Sequence, residues 1–140
     1  MNKKSYQTEQ KRMILAFLSE NQGHHVTVGM IQAHTKEKGC SVGLATIYRN
    51  LDKFVDNGMV LKYNLPEEAC SYYQFLGQPF KRSEYYFLIC VKCGRIIPLP
   101  YSHINSFFTY IQEQQHFRLD NTKTILYGYC KKCNATNRIG

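Results

Sequence analysis

The chain has 140 residues, 44% of them hydrophobic, which is enough for one ordinary domain or two small ones. Its formal net charge of +8 favours a polyanionic partner. No apolar run reaches the roughly 18 residues of a membrane span, and none follows the basic start as in a signal peptide, so we expect a cytoplasmic protein without a membrane partner.

Three helices are predicted in the first part of the chain, over about residues 8–21, 27–36 and 42–57. The third has the clearest period, because apolar residues recur on one side and polar residues on the other. Its predicted buried stripe consists of Leu44, Ile47, Leu51, Phe54 and Val55. The second helix is predicted to begin at Thr27, and the predicted capping and stop residues are Thr8, Gly39, Ser41, Asn57 and Gly58.

A short β-hairpin is predicted directly after the third helix. Strand patterns over 59–63 and 69–75 are joined by a loop that contains Pro66. Two helices joined by a tight turn at 36–40, with a hairpin behind them, predict a winged helix-turn-helix domain over 1–76.

The polar side of the third helix carries the chemistry that reads double-stranded DNA. Its arginine and asparagine can pair with base edges, and basic residues on the first and third helices can contact phosphates. Tyr48 either packs beside the buried stripe or places its hydroxyl on a phosphate. The competing interpretation is a helical module whose polar side only contacts water. The candidate DNA-binding residues are Lys11, Arg12, Thr46, Tyr48, Arg49, Asn50 and Lys53.

The second part of the chain is predicted to be a small α/β domain over 85–140. Residues 77–84 contain a glycine, a proline and two basic residues, and are predicted to form a hinge. The chain as a whole is therefore predicted to be α+β. The predicted strands are 85–90, 95–99 and 122–130, around a helix over 102–115 whose apolar face is Ile104, Phe107, Phe108 and Ile111.

Two Cys-x-x-Cys pairs, Cys90 with Cys93 and Cys130 with Cys133, are the strongest chemical signal in the sequence. Two Cys-x-x-Cys turns can together form a tetrahedral four-sulfur site suited to Zn²⁺. A metal bound there would stabilise the small domain by joining its last strand to the earlier ones. We expect one structural zinc per chain, and four thiolates with Zn²⁺ would leave a net charge of about +6.

Two alternatives remain for these cysteines: a redox motif and unpaired thiols. A redox motif requires the pair at the start of a helix after a strand of a βαβ unit, and neither pair is expected there. Of the other cysteines, Cys40 is predicted to pack in a turn, and Cys70 is predicted to lie in the second strand of the hairpin.

Several stretches resemble the ferric uptake regulator (Fur) family. "GLATIYRNLDKFVDNGMV" resembles its recognition-helix signature and "YYFLICVKCGRIIPL" its dimerisation-domain signature. "GHHVTVGMI" and "LYGYCKKC" extend the resemblance over nearly the whole chain. The resemblance implies a homodimeric, metal-responsive transcription regulator with a winged-helix domain, a dimerisation domain and a four-cysteine structural zinc. It also implies that Tyr48 and Arg49 contact DNA.

The sequence departs from the family where a regulatory metal is expected. The usual histidine-rich run before the first cysteine pair is replaced by "EYYF" at 84–87, and Asn105 stands where a glutamate often lies. We therefore expect no conventional regulatory metal site. The residues left for a rewired second metal site are His25, Cys70, Glu84 and His103.

The function predicted from these features is a DNA-binding repressor that recognises an inverted repeat as a homodimer. No nucleophile–base pair or open metal site can be assembled, so an enzyme is not expected. The alternative is a zinc-stapled scaffold or RNA-binding adaptor, and exposed aromatic side chains would favour it.

Overall fold

The computed structural model describes residues 3–65 and 67–136. These residues form two compact units that meet in the sequence between Pro79 and Phe80. The predicted α+β class is confirmed, since three helices and a hairpin precede a second set of strands and helices. Within the described part of the chain, no helix combines the length and apolar character that crossing a membrane requires.

The first unit contains three helices followed by an antiparallel hairpin. In the hairpin Val60 lies opposite Phe75, and Val26, which precedes the second helix, exchanges two backbone hydrogen bonds with Tyr73. The hairpin is thereby fixed to the helices on its outer side. The elements are α1 (Lys3–Glu20), α2 (Val28–Glu37), α3 (Leu44–Asp56), β1 (Val60–Asn64) and β2 (Ser71–Phe75).

One apolar core holds this unit together. All three helices and both strands contribute to it, and Cys40 packs against it, as predicted. Burial of this much apolar surface is the main source of stability in a domain of this size. The buried members are Ile14, Leu18, Val26, Val28, Ile31, Val42, Ile47, Leu51, Phe54, Val60 and Tyr73.

The helix ends agree with the sequence in some places and differ in others. Thr27, predicted as the first residue of the second helix, is instead its N-cap, because its Oγ1 accepts a hydrogen bond of 3.2 Å from the Met30 backbone N–H. Gly39 and Gly58 follow α2 and α3 with φ of 78° and 80°, so both stop positions are confirmed. Thr8 is not an N-cap, since α1 begins at Lys3 and the good helix formers around Thr8 continue the helix.

Two predictions about α3 are wrong. Its N-cap is Gly43 rather than Ser41, and no side chain caps the helix. Leu44, predicted to be buried, is 48% exposed, while Ile47 and Leu51 are fully buried. Leu44 is exposed because it is the first residue of the helix, and the apolar side of α3 packs in the core only from Ile47 onward.

The second unit contains a three-stranded sheet. Its strand order is β4-β3-β5, with β3 antiparallel to β4 and parallel to β5. Phe87 lies opposite Ile125 in the parallel pair, so the chain must cross over between these strands through a helix. The elements are β3 (Tyr85–Cys90), β4 (Ile96–Pro100), α4 (Asn105–Gln115), β5 (Ile125–Gly128) and α5 (Lys131–Thr136).

Helix α4 differs from its prediction in both extent and burial. It begins at Asn105, after a 3-10 turn over Tyr101–His103, and none of its residues is buried. Phe107, assigned to the apolar face, is 62% exposed, whereas Phe108 packs on Tyr86 with ring centroids 4.7 Å apart. The small sheet thus covers only part of the apolar face that the sequence predicts.

Candidate metal centre and nucleic-acid interface

The first cysteine pair lies in a tight turn at the end of β3. Cys90 is the last residue of the strand, and its N–H donates to the Arg95 carbonyl at 2.9 Å. Gly94 donates back to the Cys90 carbonyl at 2.9 Å and has a φ of 81°, a conformation that favours glycine. The turn therefore aims Cys90 and Cys93 toward one centre.

The second pair lies beside the first because β3 and β5 are parallel neighbours. The Val91 N–H donates to the Gly128 carbonyl at 2.9 Å, which extends the parallel pairing into the cysteine turn. Cys130 directly precedes α5, so the expectation that neither pair begins a helix after a strand is wrong for Cys130 and Cys133. What separates this pair from a redox motif is its closeness to the other two sulfurs.

The four sulfurs form a compact cluster. The Sγ atoms of Cys90, Cys93, Cys130 and Cys133 all lie within 4.8 Å of one another. Those of Cys93 and Cys130 are 3.7 Å apart. A tetrahedral site with Zn–S bonds of about 2.3 Å requires sulfurs separated by roughly 3.8 Å, so the cluster has the size that zinc requires. Cys93 is exposed and the other three are buried.

The surroundings of the sulfurs favour thiolates at two of the four positions. Burial opposes ionisation of Cys90, but backbone N–H groups from Cys130, Cys93 and Lys92 outweigh it and lower the pKa of Cys90 to about 6. A backbone N–H from Cys133 likewise lowers the pKa of Cys130. Burial and the neighbouring sulfurs raise the pKa of Cys133 to about 12. A divalent cation would take the place of the protons that the clustered sulfurs retain.

His25, a candidate for the second metal site, belongs to a hydrogen-bonded network with Tyr63 and Gln74. Gln74 Nε2 donates to the Tyr63 hydroxyl at 2.7 Å, and that hydroxyl is hydrogen-bonded to His25 Nδ1. The Tyr63 hydroxyl thus joins Gln74 to one ring nitrogen of His25, so Nδ1 is already engaged inside this network. The other ring nitrogen, Nε2, is buried and has no hydrogen-bond partner among the described residues.

The other three candidates for a rewired metal site lie in different settings. Cys70 is exposed and precedes β2, so its predicted place inside the strand is wrong. Glu84 lies exposed in the turn before β3, and His103 lies exposed in the 3-10 turn. Within either unit, the described residues outside the cysteine cluster gather no three metal-binding side chains.

Helix α3 presents a polar surface opposite its buried side. Arg49 is exposed, and its Nη2 donates to Thr46 Oγ1 at 3.2 Å. Asn50 Nδ2 donates to the Thr46 carbonyl at 2.9 Å, so its amide is already engaged within the helix. Tyr48 is 47% exposed and therefore does not pack into the core. Lys53 is exposed one turn further on.

Two features of this surface were not anticipated from the sequence. The exposed side of α3 includes Asp52 and Asp56 in its second half, while exposed Leu44 and Tyr48 lie in its first half. Phosphates repel carboxylates, so the first half is the part suited to enter a groove. The helical period places Asp52 and Asp56 beside Tyr48 and Arg49, so this signal was available in the sequence.

The basic residues predicted on α1 are solvent-exposed. Lys11 and Arg12 both lie on its outer side, and Arg12 pairs with Glu9 at 3.6 Å. The two side chains of this ion pair are 73% and 58% exposed, so the pairing holds Arg12 only weakly and leaves it able to contact phosphate.

The fold and the sulfur cluster define an α+β protein of two units with a four-cysteine centre. The chain belongs to the ferric uptake regulator family, whose family model matches residues 3–127. Members of this family are DNA-binding transcription regulators, so the chain is a DNA-binding regulator and not an enzyme.

Individual relatives agree with this assignment. The ferric uptake regulation protein of Klebsiella pneumoniae is 32% identical over 126 residues, which cover 89% of this chain and 78% of that protein. The iron-containing ferric uptake regulator of Francisella tularensis matches with a TM-score of 0.55 at 25% identity, over 89% of this chain and 91% of that one. A zinc uptake regulator solved with zinc and DNA has the same fold, with a TM-score of 0.61 at 19% identity over 93% and 84% of the two chains.

Proposed function

We propose that this protein is a repressor that binds an inverted-repeat operator as a homodimer, with one structural zinc held by the four cysteines. The observation that carries the proposal is the first half of α3, where Arg49 is exposed and held by Thr46. The helix is rigid in this position because Ile47, Leu51 and Phe54 are buried beneath it.

Recognition follows from the donors on this half of the helix. In the major groove, the Arg49 guanidinium can donate two hydrogen bonds to the O6 and N7 acceptors of guanine. Leu44 is exposed one turn before Tyr48 on the same helix and can contact a thymine methyl group. Tyr48, Lys53, Lys11 and Arg12 would fix the helix through phosphates. Asn50 would need to release the Thr46 carbonyl before it could pair with adenine through both amide atoms.

In this proposal one unit binds DNA and the other forms the dimer. Residues 1–76 form the winged-helix DNA-binding domain in this proposal, residues 77–84 the hinge and residues 85–140 the dimerisation domain. Two copies related by a two-fold axis would place two α3 helices on half-sites about one helical turn apart, or overlapping.

DNA binding should not require a second metal. In the first unit, His25 has its Nδ1 engaged in a hydrogen bond with the Tyr63 hydroxyl, which supports this part of the proposal. The competing proposal is a rewired regulatory site that uses His25, Cys70, Glu84 and His103. Titration of the one-zinc protein with Zn²⁺, Fe²⁺ and Mn²⁺ separates the two. A second equivalent that raises operator affinity tenfold would establish the rewired site.

The experiment that tests the DNA proposal compares two substitutions on α3. Binding of the zinc-loaded protein to its own promoter region is measured by fluorescence anisotropy at several salt concentrations. Arg49→Ala should lose about 1–3 kcal/mol of discrimination between operator and unrelated DNA. Lys53→Ala should weaken binding to both DNAs by the same factor. It should also reduce the slope of log affinity against log salt concentration by the amount that corresponds to about one phosphate contact.

A single-stranded RNA of the same sequence serves as the third ligand in this assay. The exposed Phe107, Tyr110, Tyr127 and Tyr129 are the feature that favours an RNA-binding adaptor, because such rings can stack on bases. If Arg49→Ala leaves duplex binding unchanged while the RNA binds more tightly than the duplex, the adaptor replaces the repressor as the function.

A further inference from the structure

The second unit contains a groove that the functions described above do not use. It has a volume of about 650 Å³ and lies between β3, α4 and the segment 118–121. Grooves that hold small organic ligands in proteins commonly have volumes of about 300–1,000 Å³. At one side of the groove α4 contacts the sheet through Phe108, whose ring lies 4.7 Å from that of Tyr86.

The side chains of this groove suit an organic molecule rather than a metal. Its described lining contains a single carboxylate, Asp120, and no histidine or cysteine. Transition metals are held by several such ligands at once, so this set does not form a metal site. The lining instead includes amide groups, and an amide both donates and accepts hydrogen bonds. Alcohol groups of a ligand have the same double capacity.

One positively charged side chain and one rigidly held aromatic side chain also line the groove. Arg118 is exposed at the groove and is the cation in its lining. Guanidinium groups pair with carboxylates and phosphates through two parallel hydrogen bonds. Tyr86 is held rigidly, since its ring stacks on Tyr101 at 4.2 Å and its hydroxyl donates to Asn121 Oδ1 at 2.8 Å. Tyr86 is only 3% exposed, so it is part of the groove's rigid floor, and the half-buried Phe108 beside it offers apolar surface for the C–H groups of a ligand.

We propose that this groove binds a small polyhydroxylated organic anion, such as a sugar acid or a sugar phosphate. The anionic group pairs with Arg118, and the hydroxyls bond to Asn105, Gln112 and Asp120. The carbon skeleton lies against Phe108, above the buried Tyr86. The proposal goes beyond the proposed function, because it gives the protein a metabolite to sense in the unit that carries the cysteine centre.

The test measures binding directly and without DNA, so its result does not depend on whether the repressor proposal holds. Isothermal titration calorimetry on the zinc-loaded full chain uses glucuronate, glucose 6-phosphate and glucose as probes. We expect saturable binding of at least one of the two anions with a Kd below about 1 mM, and binding of glucose at least tenfold weaker. The two anions distinguish carboxylate from phosphate as the preferred group.

Two charge-removing variants separate a built site from general charge attraction. Arg118→Gln should weaken binding of the anion at least tenfold, while Lys123→Gln removes an exposed charge outside the lining and should leave binding unchanged. Gln112→Ala, on the exposed side of α4, provides a second lining variant should Arg118→Gln lose its helical circular dichroism.

Three results would overturn the proposal. The first is the absence of saturable binding for both anions, and the second is an equal loss in the Arg118 and Lys123 variants. The third is a crystal structure of the dimer in which side chains of a second copy fill the groove.

Discussion

The two units are stabilised in different ways. Among its described residues, the first has a continuous core of eleven buried side chains from the three helices, the hairpin and the segments that precede α2 and α3. From Phe80 onward, the described residues that are fully or nearly fully buried are Tyr86, Phe87, Ile89 and three of the clustered cysteines. A unit with so little apolar burial needs a metal, a partner or both to stay folded. The second unit therefore depends on its four-cysteine centre, on a partner or on both, where the first depends on its own core.

The units also differ in charge. Residues 1–79 contain nine Lys and Arg against seven Asp and Glu, whereas residues 80–140 contain nine against three. Most of the net charge of +8 therefore lies outside the unit proposed to bind DNA. The basic character of the whole chain is a poor guide to its DNA interface, and the arrangement of charges on α3 is a better one.

The largest effect expected from a single change is loss of the cysteine centre. Cys93→Ser should release the metal and unfold the second unit, because structural zinc contributes on the order of 10 kcal/mol of binding free energy to folding. Cys93 is exposed, so the substitution itself leaves no cavity. Metal content and circular dichroism measure the loss. Cys70→Ser, which changes another exposed thiol, is the matched control and should keep zinc and fold.

A core substitution should act only on the first unit. Leu51→Ala removes a fully buried side chain of α3 and should cost about 2–5 kcal/mol of unfolding free energy. Leu44→Ala makes the same chemical change at a 48% exposed position of the same helix and should cost well under half of that. Urea denaturation measures both, and equal costs would show that the helix is packed differently.

The polar network around His25 should contribute less than the core. Tyr63→Phe removes the hydroxyl that joins Gln74 to His25, which leaves both groups without that partner at a nearly inaccessible position. The expected cost is about 1–3 kcal/mol. Tyr72→Phe removes an exposed hydrogen bond to Glu68 and should be close to neutral in the same denaturation experiment. A larger loss for Tyr72→Phe would contradict this order.

The smallest expected effect is a pH dependence confined to the first unit. Burial lowers the pKa of His25, although Glu68 raises it, and His24 adds a smaller lowering. The unfolded chain therefore binds the proton more readily than the folded one, so stability should be full above about pH 6.5 and fall as the pH drops below that value.

The variant His25→Gln should flatten this pH slope, as measured by denaturation between pH 5 and 8. His24→Gln changes the exposed neighbour and should retain the slope. An unchanged slope in His25→Gln would assign the effect to other groups.

The sequence predicted local features well where one residue determines them. Gly39 adopts the left-handed conformation that ends α2, Gly58 does the same after α3, and β3 covers the predicted residues 85–90. Ser41 and Leu44 were mispredicted because the start of α3 depends on how the whole helix meets the core. A capping pattern alone does not contain that information.

Features that depend on how several segments pack together could not be predicted from the sequence. The apolar period of α4 does not say how much of its face the sheet covers, and Phe107 is consequently exposed. The groove beside Arg118 needs three segments placed together, and no motif marks it. The cysteine pairs were the exception, since the spacing itself constrains the chemistry.

The parallel pairing of β3 with β5 also has a consequence for the rate of folding. Phe87 and Ile125 can pair only after the intervening chain has closed a long loop, and contacts so distant in sequence form slowly. The cysteine pairs lie at the same ends of these two strands. A zinc ion bound early by both pairs would close the loop before the strands meet. The refolding rate of this unit should therefore be higher when zinc is present from the start than when refolding begins without zinc.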